Sequence, residues 1–225
     1  MRQPAREYRQ IAVLGSLLFL SALCVLLYIL RVRRFGGFVH PSLMWNLFLA
    51  WLPMLGSLAA YNLERRHGNG LIVAACALVW LMFFPNAPYL LTDLTSLHPR
   101  SVPFWYDLMM FAAFAWTGTL LGLVSLFLMQ LLVRKKAGRA ASWLFAGGAL
   151  LLSGFGVYLG HVPRWNSWDV FTSPLGLFSD IWYRLSHPVA NAQMFAFTGI
   201  FAVFLLCVYL VLFAVVWFQL DPQRG

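Results

Sequence analysis

Six stretches of the chain contain no Asp, Glu, Lys or Arg: residues 11–30, 41–61, 71–91, 108–133, 140–161 and 192–220, to within a residue or two. They are apolar blocks without the alternating stripe of a half-buried strand or the one-sided stripe of a soluble helix. About 20 residues at 1.5 Å rise cross a hydrocarbon core of roughly 30 Å, so each block is long enough to span. In that medium a helix satisfies its own backbone, which makes helices the element to expect. The pattern therefore predicts an all-α membrane protein, a six-span helical bundle forming one integral domain over 1–225. Pro41 at the start of the second block suits a first helical turn. Asp107 before the fourth suits a helix N-terminus. The third block is irregular. Pro85 and Pro88, in Phe84-Pro85-Asn86-Ala87-Pro88-Tyr89, remove backbone donors and disfavour helix before them. A broken third span follows, with its freed carbonyls facing the bundle or its mouth. Gly118 and Gly122, and again Gly156 and Gly160, are four apart and allow close helix approach.

The connections are short except for 92–107 and 162–191. In the longer one, Ser173-Pro174 reads as an N-cap followed by proline at the first helical position. Leu175, Phe178, Ile181, Trp182 and Leu185 then share a face, and Ser179, Asp180 and Arg184 lie elsewhere. This predicts a short interfacial helix in the loop after span five.

Of 225 residues, 61% are apolar and 10% charged, against about 25% charged in a soluble domain. That excludes a disordered chain, a coiled coil and an ordinary soluble α/β enzyme. The formal charge is +9, from sixteen Lys and Arg against seven Asp and Glu. The basic residues cluster at block ends, as anionic headgroups favour, so membrane lipids are the expected partners and nucleic acid is not. Cys24, Cys76 and Cys207 each lie inside an apolar block and read as small apolar thiols. The apolar run from Ile11 to Leu30 exceeds a signal-peptide core and ends in Arg-Val-Arg-Arg, which predicts an uncleaved first span. For six spans, ten Lys and Arg fall on the side of the N-terminus (Arg2, Arg6, Arg9, Arg65, Arg66, Arg134, Lys135, Lys136, Arg139, Arg224). Six fall on the other (Arg31, Arg33, Arg34, Arg100, Arg164, Arg184). The excess predicts cytoplasmic termini, with the Arg31–Arg34 cluster against it. Either way, the loops after spans three and five share a side.

That side collects the polar chemistry. Asp93, Asp107, Asp169 and Asp180 belong there, with Asn86, Tyr89, Thr92, Trp105, Tyr106, Arg164, Trp165, Asn166, Ser167 and Trp168. Local explanations exist: Asp107 as a cap, Asn166 to Asp169 as a capping-box-like turn, the Trp and Tyr residues as an interfacial belt. Capping does not require so many polar and aromatic side chains on one face. The expected ligand-binding set is Asn86, Tyr89, Asp93, Asp107, Arg164, Trp165, Asn166, Trp168 and Asp169. Arg164 would meet an anionic group, Asp93 and Asp107 would accept hydrogen bonds or a cation, and the aromatics would form apolar walls with polar tips.

Pro85-Asn86-Ala87-Pro88-Tyr89 with Thr92-Asp93, then Trp105-Tyr106-Asp107, then Gly156 to Gly160 leading into Arg164-Trp165-Asn166-Ser167-Trp168-Asp169, resembles the bacterial membrane family named domain of unknown function 1361. The resemblance runs from the second span to the sixth. It implies a multi-pass protein of the bacterial cytoplasmic membrane and carries no reaction, substrate or cofactor. Where the family often has arginine after the glycine at Gly160, this chain has His161.

For chemistry, His98, His161 and His187 with the aspartates lack the spacing of a zinc site. Oxygens of Asp93, Asp107, Asp169 and Asn166 could hold a hard cation, but nothing in their spacing singles that out. No metal or cofactor is predicted. Neither G-x-S-x-G nor a Walker loop is present to support catalysis, and spans free of charge disfavour a proton-coupled pump. The leading expectation is an outward-facing polar and aromatic site that binds a lipid headgroup, an envelope sugar or a partner protein. The alternative is a membrane-embedded enzyme or transporter acting on a lipid-linked or small polar substrate at the same place.

Overall fold

The computed structural model describes residues 3–36, 42–66, 68–97 and 104–220, and all regular structure within them is helical. Pro41, His98, Arg100, Asp221 and Arg224 lie outside the described residues. The helices are α1 (Gln3–Phe35), α2 (Ser42–Arg65), α3 (Gly70–Phe83), α4 (Asn86–Tyr89), α5 (Phe104–His161), α6 (Asp169–Thr172), α7 (Pro174–Ser186) and α8 (Ala192–Leu220), with a 3-10 turn at Thr92–Ser96. Five helices or helix runs are long and apolar enough to cross a membrane: Gln10–Phe35, Ser42–Arg65, Gly70–Ser96, Phe104–His161 and Ala192–Val216.

The fourth and fifth apolar blocks form the two helical halves of α5, which meet at a break at Gly138 (φ 85°, ψ 179°). Lys135, Lys136 and Ala137 are helix formers, so the turn is confined to the one residue that takes a positive φ without a Cβ clash. The run folds back there. In a straight helix Gly118 and Gly156 would be ~57 Å apart. Instead both press on the same proline-broken segment: a Cβ on Gly118 would stand 2.4 Å from the Ala87 carbonyl oxygen, and one on Gly156 would stand 2.7 Å from Pro85 Cγ. Helix extends through the charged stretch from both sides, and a single glycine sets the reversal.

The segment they grip is the end of the third block. Asn69 caps α3, its side chain accepting the Leu71 N–H at 2.9 Å. α3 stops at Phe83, and the chain continues as the four-residue α4 and the 3-10 turn. Pro85 and Pro88 enforce the change. Phe84, Ala87 and Leu90 are buried against α5, so the irregular backbone is enclosed by protein.

Polarity is distributed as lipid solvation requires. Leu18, Phe19, Leu71, Leu78, Leu144, Ile200 and Val211 are all more than half exposed. Hydroxyls and amides turn inward instead. Trp80 Nε1 donates to Ser125 Oγ at 3.0 Å, and Tyr209 Oη donates to Gln130 Oε1. Charges sit at the ends. At one end, Glu64 bridges Lys135 (3.3 Å) and Lys136 (2.9 Å). At the other end, Asn46 reaches Asp93 and Arg31 reaches Asp107.

The grip of α5 on the proline break gives a direct test. Gly118→Ala should destabilise by about 1–3 kcal/mol, because the neighbouring atom is backbone and cannot yield. Gly148→Ala, where a Cβ meets nothing within 4 Å, should be neutral or stabilising by up to about 1 kcal/mol. Thermal or denaturant unfolding in detergent reads both, and equal effects would show that Gly118 does not bear this contact.

Candidate functional site

A cleft of about 1100 Å³ opens at the end of the molecule that carries Asn46 and Asp93. Three parts of the chain build it: the first turns of α2, the broken end of α3, and the end of α5 with the loop after it. Asn86, Tyr89, Asp93, Arg164, Trp165, Asn166 and Trp168 all stand on its wall. Asp107 and Asp169, from the same expected set, do not.

The proline break puts Asn86 at the first position of α4, where its Nδ2 donates to Ser167 Oγ (2.9 Å) and to the Phe83 carbonyl (3.2 Å). That bond ties the third block to the loop after α5. The loop itself begins with a reversal: Arg164 has φ 65°, and the Trp165 N–H reaches back to the Leu159 carbonyl at 2.9 Å. A left-handed backbone costs a non-glycine residue roughly 1–2 kcal/mol. The side chain of Arg164 is exposed, lines the cleft, and makes no hydrogen bond or ion pair with any described residue. Tyr89 lies under the end of α5, its ring edge-on to His161 at 6.4 Å. Trp168 extends across to Trp45 of α2, ring centroids 6.2 Å apart.

α7 locks the outer wall. Its helix starts at Pro174 after Ser173, as the Ser-Pro pair predicts, although Ser173 makes no side-chain cap. Asp180 accepts from Trp165 Nε1 (2.9 Å) and from Arg184 Nε (3.0 Å to each oxygen), and Arg184 also donates to Tyr158 Oη at 3.3 Å. Partial burial pushes the Asp180 carboxyl up, but the bonds from Arg184 and Trp165 and the guanidinium charge outweigh it and hold it below the usual carboxylate range. Leu177, Phe178 and Ile181 then face the cleft. Leu175 and Trp182, of the apolar face expected to lie in the interface, are among the most exposed apolar residues of the chain.

The two remaining aspartates are employed elsewhere. Asp169 closes its own turn, accepting the Asn166 N–H at 2.7 Å and the Thr172 hydroxyl at 3.0 Å; the backbone bond from Asn166 chiefly holds its carboxyl below the ordinary range. Asp107, 3% exposed, pairs with Arg31, 6% exposed, through Nε (2.5 Å) and Nη2 (3.2 Å). Arg31 also sits over the Phe35 ring at 5.3 Å, and Tyr106 Oη donates to the Leu27 carbonyl at 2.7 Å. The pair fastens α1 to the start of α5. Among the described residues, no group of three or more His, Cys, Asp or Glu is placed to hold a metal ion.

Sequence reasoning missed Arg31, Asn46, Ser153 and the Asp180–Trp165–Arg184 lock. Arg31 had one signal, its place in the cluster that opposes the charge asymmetry. The lock had one in the i,i+4 spacing of Asp180 and Arg184, and Asn46 and Ser153 had none, since they lie inside apolar blocks without any motif.

The model of a family described as protein of unknown function (DUF1361) matches residues 45–208, well over half of the chain. This chain belongs to the DUF1361 family. The matched stretch takes in every cleft-lining residue of this DUF1361 protein except Ser42. No curated protein and no solved structure matches the chain.

Two outcomes follow from the ion pairs. Arg31→Met leaves a buried unpaired carboxylate and should cost about 3–5 kcal/mol, whereas Arg31→Met with Asp107→Leu should recover most of that, because replacing both charges is often neutral. Unfolding in detergent decides, and a double variant no better than the single would contradict the pairing. Asp180 titrates lower in the folded chain than in the unfolded one, so its contribution is whole above the ordinary carboxylate range and is lost as pH falls through the folded value. Hydrogen-exchange protection over 174–186 should therefore drop on acidification in the wild type and drop far less in Asp180→Asn.

Proposed function

We propose that this protein crosses the membrane six times, with both termini in the cytoplasm, and uses its outward-facing cleft to bind the polar head of a membrane amphiphile, either a lipid or a lipid-linked envelope sugar. By family resemblance the membrane is the cytoplasmic membrane of a bacterium. The six crossings are α1, α2, the run from α3 through the 3-10 turn, the two halves of α5 on either side of Gly138, and α8. The fold-back of α5 supports that count. The orientation rests on the Lys and Arg excess around Arg65, Arg66 and the Gly138 turn. Of the Arg31–Arg34 cluster that speaks against it, Arg31 is neutralised in a buried pair with Asp107, whereas Arg33 and Arg34 are exposed.

One observation carries the binding reading: a single cleft joins a polar rim to an apolar floor. Asn86, Asp93, Arg164 and Asn166 stand at the rim, and Leu49, Leu81 and Phe155 stand below it. The volume of about 1100 Å³ is slightly above the roughly 300–1,000 Å³ of small-molecule sites. A headgroup needs hydrogen-bonding partners, and the chain attached to it needs hydrocarbon; this cleft offers both in order of depth. A docking face for a partner protein would instead place its aromatic anchors on a convex surface.

Arg164 separates function from structure. A residue held at positive φ is strained, and strain concentrates at functional positions. Arg164→Gly relaxes the backbone and removes the guanidinium. Native mass spectrometry of the detergent-purified wild type should show a retained amphiphile, and Arg164→Gly should lower its occupancy at least fivefold while stability stays level or rises by up to about 1 kcal/mol. Wild-type protein emerging bare, or occupancy unchanged in the variant, would refute the proposal.

A further inference from the structure

The cleft continues inward past its polar rim. Ser153 lies eight residues before His161 on the second half of α5, ~12 Å deeper along the helix axis. It is fully buried and lines the cleft, and its Oγ makes no hydrogen bond to any described residue. Serine and threonine in helices usually return the hydroxyl to a carbonyl one turn back. Thr117, Thr119, Ser125 and Ser142 do so here, at 2.7–2.8 Å. Ser153 is different, and its surroundings in the cleft are the apolar side chains of Leu81, Met82, Leu152 and Phe155. One turn nearer the rim, Gly156 packs against Pro85, and Ser153 is the hydroxyl on the lower part of this wall that has no partner among the described residues.

We infer that the ligand is an acyl lipid with a phosphate head, the phosphate meeting Arg164 and the apolar chain lying along the lower wall with an acyl oxygen accepting from Ser153 Oγ. This rests on the amphiphile reading of the cleft and names its chemical class. Arg164 supplies planar donors that suit a phosphate, and among the described residues it makes no bond that would have to break first. A free anion needs no apolar compartment, and a neutral lipid needs no guanidinium at the rim. The two features fit one molecule only when it carries both a charged end and a tail. Exposed Phe178 and Leu152 at the edge of the cleft let that tail enter from the hydrocarbon.

The test uses the full chain in detergent with three probes: dioleoyl phosphatidic acid, dioleoylglycerol with the same tails and no phosphate, and inorganic phosphate. Binding is read by native mass spectrometry titration. Phosphatidic acid should bind at least tenfold tighter than either of the others, and Arg164→Gln should erase its preference over dioleoylglycerol. Ser153→Ala should weaken phosphatidic acid threefold to tenfold. Ser153→Leu, which adds bulk to the lower wall, should weaken both lipids at least tenfold and leave inorganic phosphate unchanged. Should the leucine variant fail to fold, as judged by its elution profile and thermal midpoint, the alanine variant decides. Equal binding of the two lipids would overturn the phosphate assignment, and inorganic phosphate binding as tightly as phosphatidic acid would overturn the lipid. Lipid binding indifferent to both Ser153 variants would overturn the tail placement and leave the rim site standing. No binding of any probe, together with a wild type that emerges bare, would remove the amphiphile reading itself.

Discussion

The proline-broken end of the third apolar block is held from two directions by α5, and the rest of the molecule is arranged around that contact. Gly118 and Gly122 in the first half of α5 and Gly156 in the second bring their backbones against Pro85, Ala87 and Leu90 at distances that leave no room for a Cβ at Gly118 or Gly156. Such approach takes bare glycine on one side. It also takes a short, tightly turned segment on the other, which α4 and its flanking turns provide. The prolines explain why the segment is not helix, and the glycines explain why it can be buried despite that. Its carbonyls and the amide of Asn86 then find partners inside the protein, as irregular backbone at membrane depth requires.

From that contact the polar rim follows. With Asn86 fixed at the start of α4, its bond to Ser167 anchors the loop after α5 over the break, and Trp165 is clamped from outside by Asp180 of α7. The buried Arg31–Asp107 pair does comparable work for α1, which otherwise presents many exposed apolar residues. Desolvating such a pair is expensive, so its value lies in register more than in net stability: a helix free to rotate would leave a charge unpaired. Both devices put charge at the ends of the bundle and leave hydroxyls and amides to satisfy one another within it. Ser153 and Thr198 are the buried side-chain hydroxyls without a partner among the described residues, and of the two Ser153 lines the cleft.

Several parts of this were legible along the chain. Unbroken apolar blocks announced the helices, Pro85 and Pro88 announced the irregular segment, and Ser173-Pro174 announced α7. The cleft residues Asn86, Tyr89, Asp93, Arg164, Trp165, Asn166 and Trp168 could be singled out because polar side chains are scarce here and topology confined them to one side. Asp107 and Asp169 looked equivalent to Asp93 on that criterion. Side alone does not say which partner a carboxylate meets: Asp107 faces α1, and Asp169 turns onto its own backbone. The fourth and fifth apolar blocks read as two helices, and they are two, parted at Gly138; only the length of the charged loop between them was overread, because helix runs up to that glycine from both sides.

By itself, then, the order of residues determined which stretches prefer hydrocarbon, where the backbone must depart from helix, and which side chains gather at one end of the bundle. These are properties of segments, set by solvation and by the missing N–H of proline. Which of those side chains meet was decided only by tertiary structure. Arg31 found Asp107 across 76 residues, Asn86 found Ser167 across 81, and Ser153 came to stand in a cleft with no hydroxyl partner. Each outcome depends on how the helices rotate and tilt against one another, and an apolar block that looks alike all round carries no mark of which face will turn inward.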